Sequence, residues 1–271
     1  MAASVCILAL LTAACGINPP PASIQVHTEP IPHIGINGLM YGQYLPAQLA
    51  PICQSSKALT VRAPVRSVAE ANTLLAGITP CGNLSALLLV EKPDLGLVAS
   101  LLNVKDHPLV IGIELTNEPE LQGLTAQQFG AFVIAAQRQL LDGGWTKDIL
   151  SGGLYTVDAD TVQYLRDANL ALMCHAWHFY GEWSDAILAM IQSTGSCWAL
   201  TETGAPSTDA ASDAYQLQYL TQGLVMAQRG GARYVTPYQL LSGPCGDTSN
   251  LGNFGLLRCD LSQKPAFSLL Q

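Results

Sequence analysis

The sequence predicts an α/β fold of the (β/α)8 (TIM) barrel type, on three observations. Eight short runs between residues 33 and 239 are apolar almost without interruption. That is the pattern of parallel strands buried on both faces. Segments with helix start and stop signals separate them, and strand–helix alternation of this kind builds a parallel sheet closed by helices. A doubly wound open sheet would favour a glycine-rich phosphate loop after its first strand, and "GINGLMYGQ" does not fit G-x-G-x-x-G.

The chain opens with "MAASVCILALLTAACG". The apolar stretch from Val5 to Ala14 is too short for a membrane span of about 20 residues, and small residues follow it. This is an export-signal pattern. "TAAC" is similar to the lipobox of bacterial lipoproteins, in which the cysteine, here Cys15, is lipidated and tethers the chain to a membrane. Thr12 stands where Leu is commoner and the start lacks Lys and Arg, so a plain cleaved signal peptide is the alternative. Residues 1–15 are therefore read as signal peptide and lipobox. Residues 16–32, with three consecutive prolines, are read as an extended tether, and residues 33–271 as one domain.

The first strand run is "HIGINGLMY" (33–41) and the second "ALTVRAPV" (58–65). Ser67 and Glu70 then form a capping-box pattern before "ANTLL". "LSALLLVE" (84–91) is the third run, with a helix over "DLGLVASLL" (94–102). The fourth is "PLVIGIELTN" (108–117). Thr125 and Gln128 form a second capping box, Phe129, Phe132, Val133, Ala136 and Leu140 recur at helical spacing, and Gly143-Gly144 ends the run. "DILSGGLY" (148–155) leads to "TVQYLRDA", capped by Asp158 or Asp160. "LALMCHAWHFY" (170–180) leads to "DAILAMIQ", capped by Ser184 and stopped at Gly195. "SCWALTETG" (196–204) leads to "DAYQLQYLTQGLVMAQR", capped by Ser212 and stopped at Gly230-Gly231. "ARYVTPYQ" (232–239) is the eighth run.

Composition bounds the function. Charged residues are 12% of the chain, where about 25% is usual. Net charge is −8 and the 12 Lys and Arg form no cluster, which argues against nucleic acid. If Cys6 leaves with the signal and Cys15 carries lipid, Cys53, Cys81, Cys174, Cys197, Cys245 and Cys259 remain. An even number in an exported chain suggests disulfides, and no C-x-x-C pair suggests zinc. Pairing of sequence neighbours (Cys53 with Cys81, Cys174 with Cys197, Cys245 with Cys259) closes the shortest loops.

Active sites of such barrels sit at the C-terminal ends of the strands. Asn117 and Glu118 end the fourth run and Glu202 ends the seventh, so two carboxylates can face each other across the mouth. Paired carboxylates suit glycoside hydrolysis. One protonates the leaving oxygen, while the other, ionised, attacks the sugar carbon or activates water. A neighbouring cation or donor can hold one of them ionised, and Arg62 and the Tyr180 hydroxyl are placed for that. Glu114 shares a face with Glu118 by alternation, one layer deeper. His175 and His178 fall on opposite faces of a strand, which leaves no convincing metal ligand set.

"NEP" after the fourth run and "TETG" after the seventh resemble clan A glycoside hydrolases, the retaining barrels that include the cellulase-like family 5 and the xylosidase-like family 39. The resemblance implies that Glu118 is the acid/base, Glu202 the nucleophile, and Asn117 a partner of the sugar 2-hydroxyl. Arg62 is similar to an arginine on strand two of family 5, and His178 and Tyr180 to its His-x-Tyr after strand six. Two departures stand out: Glu91-Lys92 occurs where family 5 usually has a histidine, and Tyr238-Gln239 where it usually has a tryptophan. Trp183 is expected to stack on a sugar ring, with Tyr238, Tyr41 and Tyr155 as further wall residues; Trp145 and Trp198 are expected in the core. The implied protein is an exported, monomeric retaining glycosidase acting on a carbohydrate, with no metal or organic cofactor. The alternative is a barrel that binds glycans or another surface ligand without hydrolysing them.

Overall fold

The computed structural model describes residues 33–37, 46–170, 173–195, 197–243 and 253–271. The signal, tether, Tyr41 and Cys245 readings lie outside these residues. Eight parallel strands close in sequence order into one barrel. They are β1 (His33–Asn37), β2 (Leu59–Pro64), β3 (Leu84–Leu89), β4 (Val110–Glu114), β5 (Asp148–Leu154), β6 (Cys174–Phe179), β7 (Cys197–Thr203) and β8 (Tyr234–Pro237). Each lies inside its predicted run, but β4 stops at Glu114. Asn117 then makes only an isolated bridge to Gly153.

The helices α1 (Pro46–Cys53), α2 (Val68–Ile78), α3 (Leu95–Leu101), α4 (Ala126–Asp142), α5 (Ala159–Asp167), α6 (Asp185–Gln192) and α7 (Ala210–Gly230) follow strands one to seven. A 3₁₀ helix (Pro265–Leu270) packs against α7 after β8. Helix α1 is not among the predicted helices: Pro46 opens it and Pro51 lies inside it, which hides it from a propensity reading. Ser67, Asp94, Thr125, Asp158 and Ser184 cap their helices. The box at Ser67 is half made, because the Glu70 carboxylate turns to Arg66 at 2.7 Å. Helix α7 begins earlier than expected. Asp209 caps it and the predicted cap, Ser212, is the third residue of a capping box, its hydroxyl accepting the Asp209 N–H at 3.0 Å.

Most apolar burial lies between the barrel and its helices, where Trp145, Trp177 and Trp198 sit. Inside the barrel a smaller layer of Leu87, Leu150, Ala176, Ala199 and Tyr234 supports the polar mouth above it. Disulfides join Cys53 to Cys81 and Cys174 to Cys197, as predicted. Among the described residues no helix is long and apolar enough to cross a membrane.

Candidate active site

The strands bring polar side chains from β1, β2, β4, β6 and β7 to one point at the mouth. Arg62 is its hub and is almost fully buried. Its Nε and Nη2 donate to the two Glu114 oxygens at 2.7 and 2.8 Å. Nη1 donates to Asn37 at 2.6 Å and to Glu202 Oε1 at 2.7 Å, and Nη2 reaches Asn117 at 3.0 Å. Asn37 is fixed in turn by donating to the Thr201 and Thr236 carbonyls at 2.7 and 3.0 Å. Burial opposes ionisation of Glu114, but Arg62 outweighs it and holds the carboxyl down to about 2. Burial likewise opposes the Arg62 charge, and Glu114 and Glu202 more than restore it.

Glu202 reaches this network through an irregularity. The β7–β8 register shifts between Leu200 and Thr203, and the β6–β7 register shifts beside His178. Thr201 and its neighbour Glu202 can therefore both contact the polar cluster: the Thr201 hydroxyl donates to Glu114 at 3.3 Å, and the Tyr180 hydroxyl donates to Glu202 Oε2 at 2.8 Å. A strict two-residue alternation would separate them.

Glu118 stands on a turn beyond β4 with φ of +44°. A non-glycine residue there costs roughly 1–3 kcal/mol and persists only where the surroundings impose it. They do so here. The Glu118 N–H donates to Gly153 O at 2.7 Å, and Asn117 N–H donates to Glu91 O at 3.3 Å. The Gln122 amide donates to the carbonyls of Glu91, at 2.9 Å, and of Asn117. Glu120 spans from this turn to β5, where its Oε1 accepts the Tyr155 N–H; its Oε2 is buried without a partner. Burial, first among its influences, pushes the Glu120 pKa up.

His178 links the two carboxylates. Its Nδ1 lies 2.8 Å from Glu118 Oε1, and its Nε2 lies 3.6 Å from Glu202 Oε1. A Cβ at residue 153 would sit 2.0 Å from that ring, so only glycine leaves His178 its place. Burial pulls the His178 pKa down, but Glu202, Glu114 and Glu118 overcome it and raise it to about 9. Since the folded value lies above the unfolded value of about 6.5, the stabilisation is complete below pH 6.5. It is lost as pH rises through about 9. The imidazole signal in an NMR titration should therefore move near pH 9. Urea stability should fall between pH 7 and 10 in the unmutated protein and fall less in His178→Asn. A midpoint near 6.5 would contradict the arrangement.

A carboxylate oxygen of Glu118, a ring nitrogen of His178 and a carboxylate oxygen of Glu202 all lie within 4.8 Å of one another. This donor set is a poor metal centre, because the Arg62 guanidinium already donates to Glu202 at 2.7 Å and lies 3.2 Å from the His178 ring, so a cation there would meet a buried positive charge. Above it opens a cavity of about 430 Å³, lined in part by Asn117, Glu118, Tyr180, Glu202 and Tyr238. Arg62 reaches its floor and Tyr155 its wall. Phe254, from the segment after β8, completes an aromatic corner, 5.7 Å from Tyr180 and 6.0 Å from Tyr238. Gln216 fixes that segment by donating to the Phe254 carbonyl at 3.1 Å.

The predicted Arg62, Asn117, Glu118, His178, Tyr180, Glu202 and Tyr238 thus converge. Trp183 does not join them. Its ring tilts onto Phe179 at 4.4 Å and faces Gly223 of α7, because the chain turns outward toward α6 after Tyr180 and the apolar gap between helices takes the indole. His175 lies apart from them: it is buried beside Ser151 at 3.2 Å, and burial lowers its pKa to about 4. Asn37, Phe254, Glu120 and Gln122 were not singled out from the sequence. Only Asn37 carried a visible signal, as a polar residue at the end of an apolar run.

No family model matches this sequence, and no curated protein matches it. Solved structures with the same fold do. A family 39 glycoside hydrolase from the gut symbiont Bacteroides cellulosilyticus WH2 superposes with a TM-score of 0.64 at 15% identity, over 89% of this chain and 63% of that one. The exo-β-1,4-mannosidase Op5Man5 from Opitutaceae bacterium strain TAV5 gives 0.64 at 14% identity, over 89% and 58%. A family 128 (subgroup II) endo-β-1,3-glucanase from Pseudomonas viridiflava gives 0.64 at 15% identity, over 88% and 97%. The chain thus spans about three-fifths of the length of the first two and nearly all of the third. At these identities the likeness establishes the barrel fold.

Proposed function

We propose that the protein is a retaining glycoside hydrolase that cleaves O-glycosidic bonds of an oligo- or polysaccharide through Glu118 and Glu202. The observation that carries this reading is the unequal company the two carboxylates keep. Glu202 holds two donors that stay protonated at neutral pH, Arg62 and Tyr180, whose pKa is raised by burial and by Glu202 itself. Such donors hold both oxygens of the attacking carboxyl group in place. Glu118 has one partner of this kind, His178, and opens further to the cavity than Glu202 does. Divergent surroundings of two acids are how one site assigns an acid and a base. Their oxygens lie within 4.8 Å, which supports the close spacing of retaining enzymes, about 5–5.5 Å, over the wider gap that an inverting enzyme needs for water.

In this reading Glu202 attacks the anomeric carbon as the glycosidic bond breaks, and Glu118 gives its proton to the departing oxygen. A glycosyl-enzyme ester forms on Glu202. Glu118, now ionised, takes a proton from water, whose oxygen displaces Glu202 and regenerates both carboxyl groups. Asn117, tied to Arg62, faces the sugar from the same side, and Tyr180, Tyr238 and Phe254 wall it. The glycosidase folds that superpose on this chain support the reading. The two disulfides fit an exported protein in an oxidising compartment, with lipidation of Cys15 as its anchor and a monomer as its form. The deciding experiment is proton NMR of the first product from a glycan that the protein cleaves. The anomer released first should keep the configuration of the bond broken. Inverted product would overturn the mechanism, and binding without hydrolysis across a broad panel would favour the non-hydrolysing barrel.

The Glu120 contact makes a second expectation. Cutting it in Glu120→Ala should loosen the turn that holds Glu118 and lower kcat by about 10- to 100-fold on glycosides with poor leaving groups. Dinitrophenyl glycosides, which need no protonation to depart, should suffer far less. Glu120→Gln, whose amide oxygen can still accept the Tyr155 N–H, should stay near the unmutated rate. An equal loss on both substrate types would indicate general damage instead.

A further inference from the structure

The aromatic rings that line the catalytic cavity are not placed alike, and the odd one points to a second activity. Tyr180, Tyr238 and Phe254 pack on one another, with centroids 5.7 to 6.4 Å apart. Tyr155 stands away from that corner. It lines the same cavity, and none of the described rings packs against it. It is 47% exposed, more than Tyr180 at 37% and more than the half-buried Tyr238 and Phe254. A ring open to a cavity gains by covering its apolar face, and the C–H faces of a sugar ring suit that cover.

The backbone fixes where Tyr155 stands relative to Glu118. The Glu118 N–H donates to Gly153 O at 2.7 Å, and Asn117 bridges to the same glycine. Tyr155 lies two residues further on, just past the end of β5. Its own N–H donates to Glu120 Oε1, so the turn that carries Glu118 and the segment that carries Tyr155 are joined at two points. The other flank of Glu118 differs. There the Asn117 N–H donates to Glu91 O at 3.3 Å, and the Asn117 side chain accepts from Arg62 of β2 at 3.0 Å. An acid must stand within hydrogen-bond reach of the oxygen it protonates, so the leaving unit begins beside Glu118. With the attacked sugar over Asn117 and Arg62, the leaving unit falls on the flank of Tyr155.

We propose that Tyr155 is the platform on which the leaving sugar rests, and that the same platform seats an incoming sugar, so that the site transfers its glycosyl group from Glu202 to a sugar hydroxyl as well as to water. The inference rests on the glycosidase reading of the site, and a binding measurement separates the two. In the transfer step a hydroxyl oxygen of the acceptor bonds to the anomeric carbon as the bond from that carbon to Glu202 breaks. Glu202 departs as a carboxylate, and the hydroxyl proton passes to Glu118. Water and acceptor compete for one glycosyl-enzyme, so an acceptor held beside Glu118 gains in proportion to its occupancy. Stacking on one aromatic ring accounts for roughly 3- to 10-fold in that occupancy.

The test forms the glycosyl-enzyme from a dinitrophenyl glycoside that the protein cleaves and offers it cellobiose, mannobiose or methanol. The ratio of transfer product to hydrolysis product is read within each variant, so a general loss of activity cancels. The unmutated protein should transfer to at least one disaccharide. Relative to methanol, which is too small to need a platform, that transfer should fall about 3- to 10-fold in Tyr155→Ala and stay within about twofold in Tyr155→Phe, which keeps the ring. No transfer to either disaccharide, a ratio unchanged in Tyr155→Ala, or equal losses in the two variants overturns the proposal. Affinity electrophoresis through gels holding a neutral glucan or mannan reads the platform without chemistry. Retardation that weakens in Tyr155→Ala and persists in Tyr155→Phe, with no glycoside turned over, would fail the hydrolase reading and the transfer with it, and leave the platform standing. Retardation equal in all three forms would remove the platform as well.

Discussion

Glu202→Gln is expected to lower glycoside turnover by about 10⁴-fold or more while leaving glycan binding intact. The amide fills the same space, and its oxygen can still accept from Arg62, so the loss reports chemistry and not collapse. What disappears is the anionic carboxylate oxygen that forms the glycosyl-enzyme ester. Glu118→Ala should behave differently. It removes the proton donor and, in the second step, the base, so poor leaving groups should lose about 10²- to 10⁴-fold. Dinitrophenyl glycosides should still form the glycosyl-enzyme, and its hydrolysis should then become rate-limiting. Azide, a nucleophile that needs no base, should relieve that block and yield a glycosyl azide of retained configuration. The assignment fails if azide rescues the Glu202 variant in this way and leaves the Glu118 variant unaffected. It also fails if Glu202→Gln turns over at the unmutated rate.

These roles depend on placement that the sequence shows only in part. Strand count and order were legible because parallel strands buried on both faces cannot contain many polar residues, so the exceptions at their ends stand out. Arg62, Glu118, His178, Tyr180 and Glu202 were found that way. Local irregularity was not legible. Nothing in "TETG" announces the register shift that lets Thr201 and Glu202 both reach the polar cluster, and nothing in "NEP" shows the positive φ at Glu118. Phe254 reaches the cavity from beyond the last strand, at a sequence distance that periodicity does not span. Trp183 was misread because adjacency to strand six says where an indole starts, not which side of the barrel wall it packs on. The cap of α7 was misplaced for a related reason. Asp209 and Ser212 are both good caps, and only the reciprocal hydrogen bonds show which one is first.

Arg62→Leu is expected to destabilise the fold by about 3–5 kcal/mol, because it removes the bidentate partner of the fully buried Glu114 and leaves only His178 at 3.9 Å and the Thr201 hydroxyl at 3.3 Å beside its charge. For a chain of this size that corresponds to a loss of roughly 6–20 °C in Tm. The Arg62–Glu114 pair lies below the cavity and its two hydrogen bonds are parallel and short. Its purpose in the site is geometric: by turning one guanidinium edge, Nε and Nη2, to Glu114, the protein aims the second Nη2 hydrogen at Asn117 and leaves Nη1 for Asn37 and Glu202. Substituting both partners separates stability from positioning. Arg62→Leu with Glu114→Leu removes both buried charges at once, and replacing such a pair by apolar groups is often close to neutral. The double variant should therefore regain most of the lost Tm, with a coupling of about 0.5–3 kcal/mol in the cycle. Its catalysis should stay low, because Glu202 has lost Arg62. Full additivity of the two single variants would show that the charges do not depend on each other. Recovery of activity along with stability would show that the guanidinium is not what holds Glu202 ready to attack.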